Sequence, residues 1–374
     1  MKKFLVYSLL VMCVCFLANC QRTPESKEKI VKIALVAPLT GDIAAMGQGM
    51  KNGATLAIEE ANEQKIVKGV RFELLALDDR ADPKEAVNVA NQIVSDRNIY
   101  GVVGHLNSGC SIPASTVYNR HNLVMISPAS TNPKLTLQGF KNVFRTCTTD
   151  DVQGGYAAEV IHKDMKIKQV AIIHDKTPYG QGLAEEFKKT FEKLGGKVLC
   201  FEGISLGDRD FKALLIKVKG LNPEMIYFGG MYQEAGLISK QAKELTLSVP
   251  IVGGDGIFSN EYIKIAGKSS EGDLATMVGL PPEKLIRAKE FIKKYKERFP
   301  QIDMQPYDSY TYDTTQIIIE VVKSTKLDKE KMIEYVRNIT YQGIIGKTQF
   351  DEKGDTLNKT ITFYHVKNGQ WEVK

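Results

Sequence analysis

After an opening apolar run from Phe4 to Leu17, the chain settles into short, wholly apolar stretches alternating with segments of helical spacing. Val31–Ala37 reads as a buried strand and Pro38-Leu39-Thr40-Gly41 as the loop after it. Met50, Gly53, Ala54, Ala57, Ile58 and Ala61 then recur on one helical face. Val70–Leu77 is a second strand, and Pro83 opens a helix running through Val94. Tyr100–Gly104 and Leu123–Ser127 are further buried strands with a helix between them. A β-α-β-α-β rhythm of this kind predicts a parallel sheet covered on both faces.

The rhythm then restarts. Gln169–His174, Lys197–Phe201, Met225–Phe228 and Pro250–Val252 read as strands. The helices Gly180–Leu194, Phe211–Lys219 and Glu234–Leu245 alternate with them. The segment Phe144–Asp151 falls between the two halves and is the candidate hinge. Beyond Met277 the pattern turns helical over Pro282–Phe299, Tyr307–Ser324 and Lys329–Ile339. It ends in two strands, Thr360–Val366 and Gln370–Val373, joined at Asn368-Gly369, a strong hairpin signal. The reading is an α/β protein of two doubly wound parallel-sheet lobes with a ligand cleft between them. In such sheets ligands bind beyond the carboxyl ends of the strands, so the loops there carry the candidate chemistry.

The first apolar run is preceded by Lys2 and Lys3 and followed by Ala18-Asn19-Cys20. Basic start, apolar centre and small residues at a processing point are the layout of an export signal over residues 1–19. The run is about 14 residues, short of the roughly 20 that cross a bilayer as a helix. Its end resembles a lipobox, with Cys20 as the lipidated residue, although Asn19 stands where Gly, Ala or Ser is usual. The polar stretch up to Lys29 then reads as a tether to the membrane. Export places the mature chain outside the cytoplasm and argues against ATP- or NADH-dependent metabolism. Losing Lys2 and Lys3 leaves 48 basic against 44 acidic residues, a net of +4. Basic and acidic residues are interleaved, as in Glu185-Glu186 with Lys188-Lys189, which describes solvated helix faces rather than a nucleic-acid surface. Of six cysteines, Cys110, Cys147 and Cys200 remain in the mature part beside Cys20. Three leave at least one thiol outside any bridge within the chain.

No nucleophile elbow, zincin helix, Walker loop or Cys-x-x-Cys occurs, and His105, His121, His162, His174 and His365 show no metal-ligand spacing. Nothing calls for a catalytic residue, a metal or a cofactor. Four loops after strands are polar instead. Gly104–Gly109 brings Ser108 to a helix start, where a hydroxyl and free N–H groups suit a carboxylate. Ser127–Pro133 carries Ala129, Ser130 and Thr131, with prolines expected to hold it extended and its carbonyls and hydroxyls outward. His174–Gly180 brings Tyr179 to the opening of a helix in the other half. Gly253-Gly254-Asp255-Gly256 sets a carboxylate between glycines, where it can meet an ammonium group. Together they describe a zwitterion site shared between two lobes.

At these loops the chain resembles the branched-chain amino-acid binding proteins of ABC importers, of the type I periplasmic binding protein fold. The stretches carrying the resemblance are KIALVAPLTG, DDRADPKEAVNVAN, VVGHLNSG, MISPAST, VAIIHDKTPYGQGLA, YFGGMYQEAG and FDEKGD, in order from Ile30 to about Asp355. The resemblance implies three crossovers between the lobes. The N-terminal lobe would take residues 30–150 and 280–349, and the C-terminal lobe 151–279 and 350–374. It also implies a monomer that hands an amino acid to an ABC permease in the inner membrane. Position by position, the carboxylate falls to Ser108, Ala129 and Thr131, and the ammonium group to Tyr179 and Asp255, with Ala129 and Thr131 contributing. The chain departs from the family where Asp255 replaces a glutamate and where Met46 and Met231 replace aromatics. Ala81 and Asn107 stand where close relatives have a small disulfide. Two other readings stay open: the same fold binding urea, short amides or an aromatic acid, and a ligand-free regulator of an envelope enzyme.

Overall fold

The computed structural model describes residues 28–281 and 284–374. The export segment, Cys20, most of the tether and the helix start expected at Pro282 lie outside the described residues. The chain opens with β1 (Lys29–Ala37), α1 (Ala44–Glu63), β2 (Val70–Asp78), α2 (Pro83–Ser95), β3 (Ile99–Gly104), α3 (Ser108–Arg120), β4 (Met125–Ser127), a short α4 (Lys134–Leu137) and β5 (Val143–Arg145). A second series follows with α5 (Asp150–Glu159), β6 (Gln169–His174), α6 (Pro178–Lys193), β7 (Lys197–Gly203), α7 (Lys212–Gly220), β8 (Met225–Gly229), α8 (Tyr232–Glu244), β9 (Ile251–Gly253), α9 (Asn260–Ala266) and β10 (Leu274–Val278). It closes with α10 (Ala288–Arg298), α11 (Asp308–Ser324), α12 (Lys329–Asn338), a small hairpin β11 (Tyr341–Gly343) and β12 (Gly346–Thr348), then β13 (Ile361–Lys367) and β14 (Gln370–Val373).

The first sheet has the order β2-β1-β3-β4-β5 and is parallel throughout. The second runs β14-β13-β10-β9-β8-β6-β7, its last five strands parallel and β13–β14 added antiparallel at the edge. Both parallel portions therefore share one winding, with the first strand of each series flanked by its second and third. The order reverses between β1 and β3 in one lobe and between β6 and β8 in the other. Such switch points open a crevice at the strand ends, because the flanking connections leave in opposite directions.

Local chemistry explains the element boundaries. Asp82 caps α2 by accepting from the N–H groups of Lys84 and Glu85, with Pro83 in the first turn. Thr177 caps α6 through Gly180, with Pro178 in its first turn. Asn368 and Gly369 have φ of 52° and 70°, the left-handed pair a two-residue hairpin requires. Four strands escaped the sequence pattern: β5, β10 and the two three-residue strands of the β11–β12 hairpin. β5 lies at the start of the expected hinge and is three residues long, too short to show a period. β10 is a five-residue buried run with a threonine at its centre, placed where the pattern was turning helical. α10 begins at Ala288 rather than near Pro282. Cys110, Cys147 and Cys200 are all unpaired, the first two buried.

The chain passes between the sheets three times: after β5, after β10 and after β12. Helix α11 returns to the first lobe and lies on α1 and β3. A Cβ at Gly53 would stand 2.2 Å from the Asp308 carbonyl oxygen, and one at Gly101 3.0 Å from Ile318. Those glycines let the helix and the sheet approach α11.

The first and third crossings meet at Arg145. This side chain is fully buried, and its Nε lies 2.6 Å from Asp355 Oδ1. Its Nη1 donates to the carbonyls of Ser130 at 2.8 Å and Asn132 at 2.9 Å, and Nη2 donates to Thr136 Oγ1 at 2.8 Å. Asp355 also accepts from Thr136 Oγ1 at 2.8 Å. Its place is set by a turn in which Asp351 accepts from the N–H groups of Lys353, Gly354 and Asp355. Removing one partner strands a buried charge, which costs about 3–5 kcal/mol. Arg145→Met should therefore lower unfolding free energy by roughly that amount in urea denaturation, whereas a loss under 1 kcal/mol would show that the pair is dispensable.

Candidate functional site

On the first lobe, the β3–α3 and β4–α4 loops converge. Ser108 is the first residue of α3 and is buried; its Oγ accepts from the Asn132 N–H at 3.2 Å. It is thus braced against the neighbouring loop rather than capping its own helix. Ser127 Oγ donates to the His105 carbonyl at 2.8 Å and accepts from the Ser130 N–H at 2.9 Å. Ser130 Oγ sits 2.6 Å from Ser111 Oγ and donates to the Leu106 carbonyl at 3.0 Å. The expectation of hydroxyls held outward is corrected here. Ser127 and Ser130 turn into the lobe because the carbonyls behind the loop need donors, and Arg145 takes the Ser130 carbonyl. Thr131 differs: it is fully buried and its Oγ1 has no partner. Ala129, also buried, has only a long 3.3 Å contact from its N–H to Ser127 Oγ.

On the second lobe, Tyr179 lies in the first turn of α6 and its hydroxyl donates to Asp255 Oδ1 at 3.0 Å. The same hydroxyl accepts from the Gly256 N–H at 2.8 Å. Glycine is needed at 256, where a Cβ would lie 2.6 Å from the Gly230 carbonyl oxygen and 2.7 Å from the Tyr179 hydroxyl. Asp255 begins a single helical turn after β9 and is 3% exposed. Tyr307, just before α11 and therefore on the first lobe, donates to Asp255 Oδ2 at 2.5 Å. Burial pushes the Asp255 carboxyl above its ordinary range, and the hydrogen bonds from Tyr307 and Tyr179 pull it back toward the charged form.

Three residues escaped the sequence reading. Tyr307 completes the Asp255 cluster from 52 residues away, a separation no local pattern reveals. Asp150 is fully buried, its N–H donates to the Thr131 carbonyl at 3.0 Å, and neither carboxylate oxygen has a partner. Burial, reinforced by the charge of Asp255, drives its carboxyl well above the usual range. In the sequence it fell within the candidate hinge Phe144–Asp151, with nothing to set it apart. The Tyr227 hydroxyl in β8 is likewise buried without a partner. Unmet polar groups from both lobes thus gather around Thr131, Asp150 and Tyr227, and buried polar groups ordinarily have partners.

Outward from Tyr179, a cavity of about 360 Å³ lies along the seam between the lobes. Asn107 and Arg80 line it from the first lobe, and Asp175, Met231 and Glu234 from the second. The seam is latched by Arg209 Nη2 to Asp42 Oδ2 at 2.6 Å and by the Tyr232 hydroxyl donating to the Asp42 carbonyl at 3.0 Å. Asp175 Oδ1 accepts from the N–H of Thr177 at 2.9 Å and its hydroxyl at 2.7 Å, while Oδ2 has no partner. Glu234 Oε1 accepts from the Gly207 N–H at 3.0 Å, while Oε2 has none. Burial pushes the Asp175 carboxyl up to about 6 and raises that of Glu234. Met46 and Met231 are both buried; methionine adapts its shape where a rigid ring would not.

Two lobes meeting over a buried carboxylate bracketed by tyrosines from either side define a receptor that encloses its ligand by closure. The sequence pattern described as "Periplasmic binding protein" matches residues 30–370, and the chain belongs to that family. It is 38% identical over 341 residues to Leu/Ile/Val-binding protein homolog 1 of Brucella suis, covering 91% of each chain. It is 39% identical over 353 residues to the leucine-, isoleucine-, valine-, threonine- and alanine-binding protein of Pseudomonas aeruginosa, covering 92% of each. Among solved structures it resembles the leucine-binding protein LivK of Thermotoga maritima, with a TM-score of 0.86, 33% identity, and 92% and 97% coverage. It also resembles LivJ of Streptococcus pneumoniae in complex with isoleucine, with a TM-score of 0.85, 26% identity, and 92% and 99% coverage.

The Asp175 environment has a measurable sign. Its folded pKa of about 6 exceeds the roughly 3.9 of an unfolded aspartate. The fold therefore favours the neutral form, and stability drawn from this group is lost as pH rises from about 4 through about 6. Asn at this position stays neutral and retains the Oδ1 acceptor. Asp175→Asn should gain about 2–3 kcal/mol relative to the parent between pH 4 and 7 in urea denaturation of ligand-free protein; a pH-independent difference would contradict this.

Proposed function

We propose that this protein is an exported, monomeric solute-binding lipoprotein, anchored through Cys20, that captures a small apolar L-amino acid and delivers it to an ABC permease. Branched-chain amino acids are the first candidates, as in the names of the relatives. The observation carrying this reading is the buried Asp255 carboxylate, held by tyrosines from both lobes, with the unpartnered Thr131 hydroxyl in the same cleft. An anionic acceptor on one lobe and hydroxyl and N–H donors on the other match the two ends of an α-amino acid. Ser108, Ala129 and Thr131 would hold the carboxylate, while Tyr179 and Asp255 would hold the ammonium group. Ser130 would act by stiffening the loop that presents Thr131. The relatives named for leucine, isoleucine and valine support the ligand class. The arrangement serves binding, and no reaction is assigned to it.

Charge-assisted hydrogen bonds of this kind contribute about 1.5–3 kcal/mol each. Asp255→Ala should accordingly weaken leucine binding by about tenfold to a few hundredfold, with the far-ultraviolet circular dichroism unchanged. Unchanged affinity would remove Asp255 from the ammonium site. The ligand class itself is settled by a thermal-shift panel of the twenty L-amino acids, urea and simple amides on protein freed of carried-over ligand. A ligand at a hundredfold excess over its Kd stabilises by about 2.7 kcal/mol. A response confined to small apolar amino acids is expected; a response to amides alone would overturn the reading.

A further inference from the structure

The turn that begins at Asp255 is held by two segments far from it in sequence. It runs through Phe258 to Ser259, which is 3% exposed and caps α9 by accepting from the Glu261 N–H at 3.2 Å. From the first lobe comes Gln305, whose Oε1 accepts from Ser259 Oγ at 3.1 Å. Gln305 is itself fixed: its N–H donates to Asp308 Oδ2 at 2.9 Å and its Nε2 to the Asp303 carbonyl at 3.3 Å. It also packs on α1, where a Cβ at Gly49 would lie 2.8 Å from its own Cβ. Two residues further on, Tyr307 reaches Asp255. From the second lobe comes the C-terminal hairpin. Trp371 in β14 donates from Nε1 to the Ser259 carbonyl at 3.1 Å. Its ring lies 5.3 Å from that of Phe258 and 5.7 Å from that of Tyr262 in α9. Phe258 is held from β13 as well, 4.3 Å from the Tyr364 ring.

We infer that the Ser259–Gln305 contact is a second closure point beside Tyr307–Asp255, and that Trp371 is its positioning residue, holding the turn where the first lobe meets it. This rests on the reading of the cleft as an amino-acid site. The turn has little to fix it from within: Ile257 N–H donates to the Gly254 carbonyl, Phe258 to Asp255 and Ser259 to Ile257. A single helical turn is not stable by itself, so packing from outside decides where its residues lie. Trp371 supplies that packing together with a donor for the Ser259 carbonyl. The Ser259 hydroxyl has one proton to give. Directed at Gln305, it makes a bond that spans the lobes and exists only while they are together. Bonds made only in the closed state slow ligand release and leave capture unaffected.

The test is L-leucine binding by the purified full-length protein, cleared of ligand, followed by calorimetry and stopped-flow kinetics. Gln305→Ala and Trp371→Phe should each weaken leucine about threefold to tenfold, the scale of one hydrogen bond, through faster release with the rate of capture unchanged. Phenylalanine keeps a ring against Phe258 and removes the donor. The double variant should be about as weak as the poorer single variant, because both substitutions act on one contact. A role of Trp371 in general stability makes the two losses multiply instead, and that result overturns the inference, as does unchanged affinity in either variant. Trp371 is the single tryptophan of the chain, so its emission should change when leucine is added. Calorimetric binding of leucine with unchanged emission also overturns the inference. Gln305→Ala leaves the hairpin untouched and keeps the inter-lobe bond measurable should Trp371→Phe fail to fold. No response of the parent protein to leucine means the amino-acid reading has failed, and this one with it.

Discussion

The arrangement of the cleft depends on one buried guanidinium. Arg145 ends the last strand of the first sheet and pairs with Asp355, which lies on the chain's final passage between lobes. The same side chain holds the carbonyls of Ser130 and Asn132, the residues on either side of Thr131. A single planar group thus fixes where two crossings run and how one binding loop is shaped. The five donors of arginine suit this, because each edge of the plane meets a different segment. Asp355 reaches it only because Asp351 folds the FDEKGD turn around its own carboxylate, with Gly354 at φ 100°.

Asp255 plays the complementary part across the cleft. It belongs to the second lobe, yet Tyr307 reaches it from the first, so its hydrogen bonding is complete only with the lobes together. Its neighbour Asp150 has no such company. Two buried carboxylates near one another are unfavourable, and the Arg145 guanidinium offsets this only in part at Asp150.

Much of this was legible in the chain. The doubled β-α rhythm established two parallel lobes, and the loops after Gly104, Ser127, His174 and Gly253 were found because ligand chemistry gathers at strand ends. Tyr179 and Asp255 are joined there, and Ser108 is bonded to the loop that carries Thr131. Ser130 misled because a hydroxyl in a polar loop carries no sign of which way it turns; that depends on the unmet carbonyls of His105 and Leu106 behind it. Tyr307, Asp150 and Tyr227 were hidden for another reason. Each is an ordinary residue of its own element, and its importance arises from a partner, or the lack of one, in a distant segment. β5 and β10 were missed because their apolar runs are too brief for either periodicity to declare itself.

The course of α11 bears on how such a chain must be made. All five strands of the first sheet have been synthesised once Arg145 has emerged, but the face against Gly101 stays bare until the helix ending at Ser324 arrives. The second sheet in turn waits for β14, almost the last residues of the chain. Neither lobe corresponds to a continuous piece of sequence, so neither can be cut out as a unit, and the second is completed only after the first. The second sheet therefore lacks its antiparallel edge until the β13–β14 hairpin is made, more than 200 residues after the last strand of the first sheet.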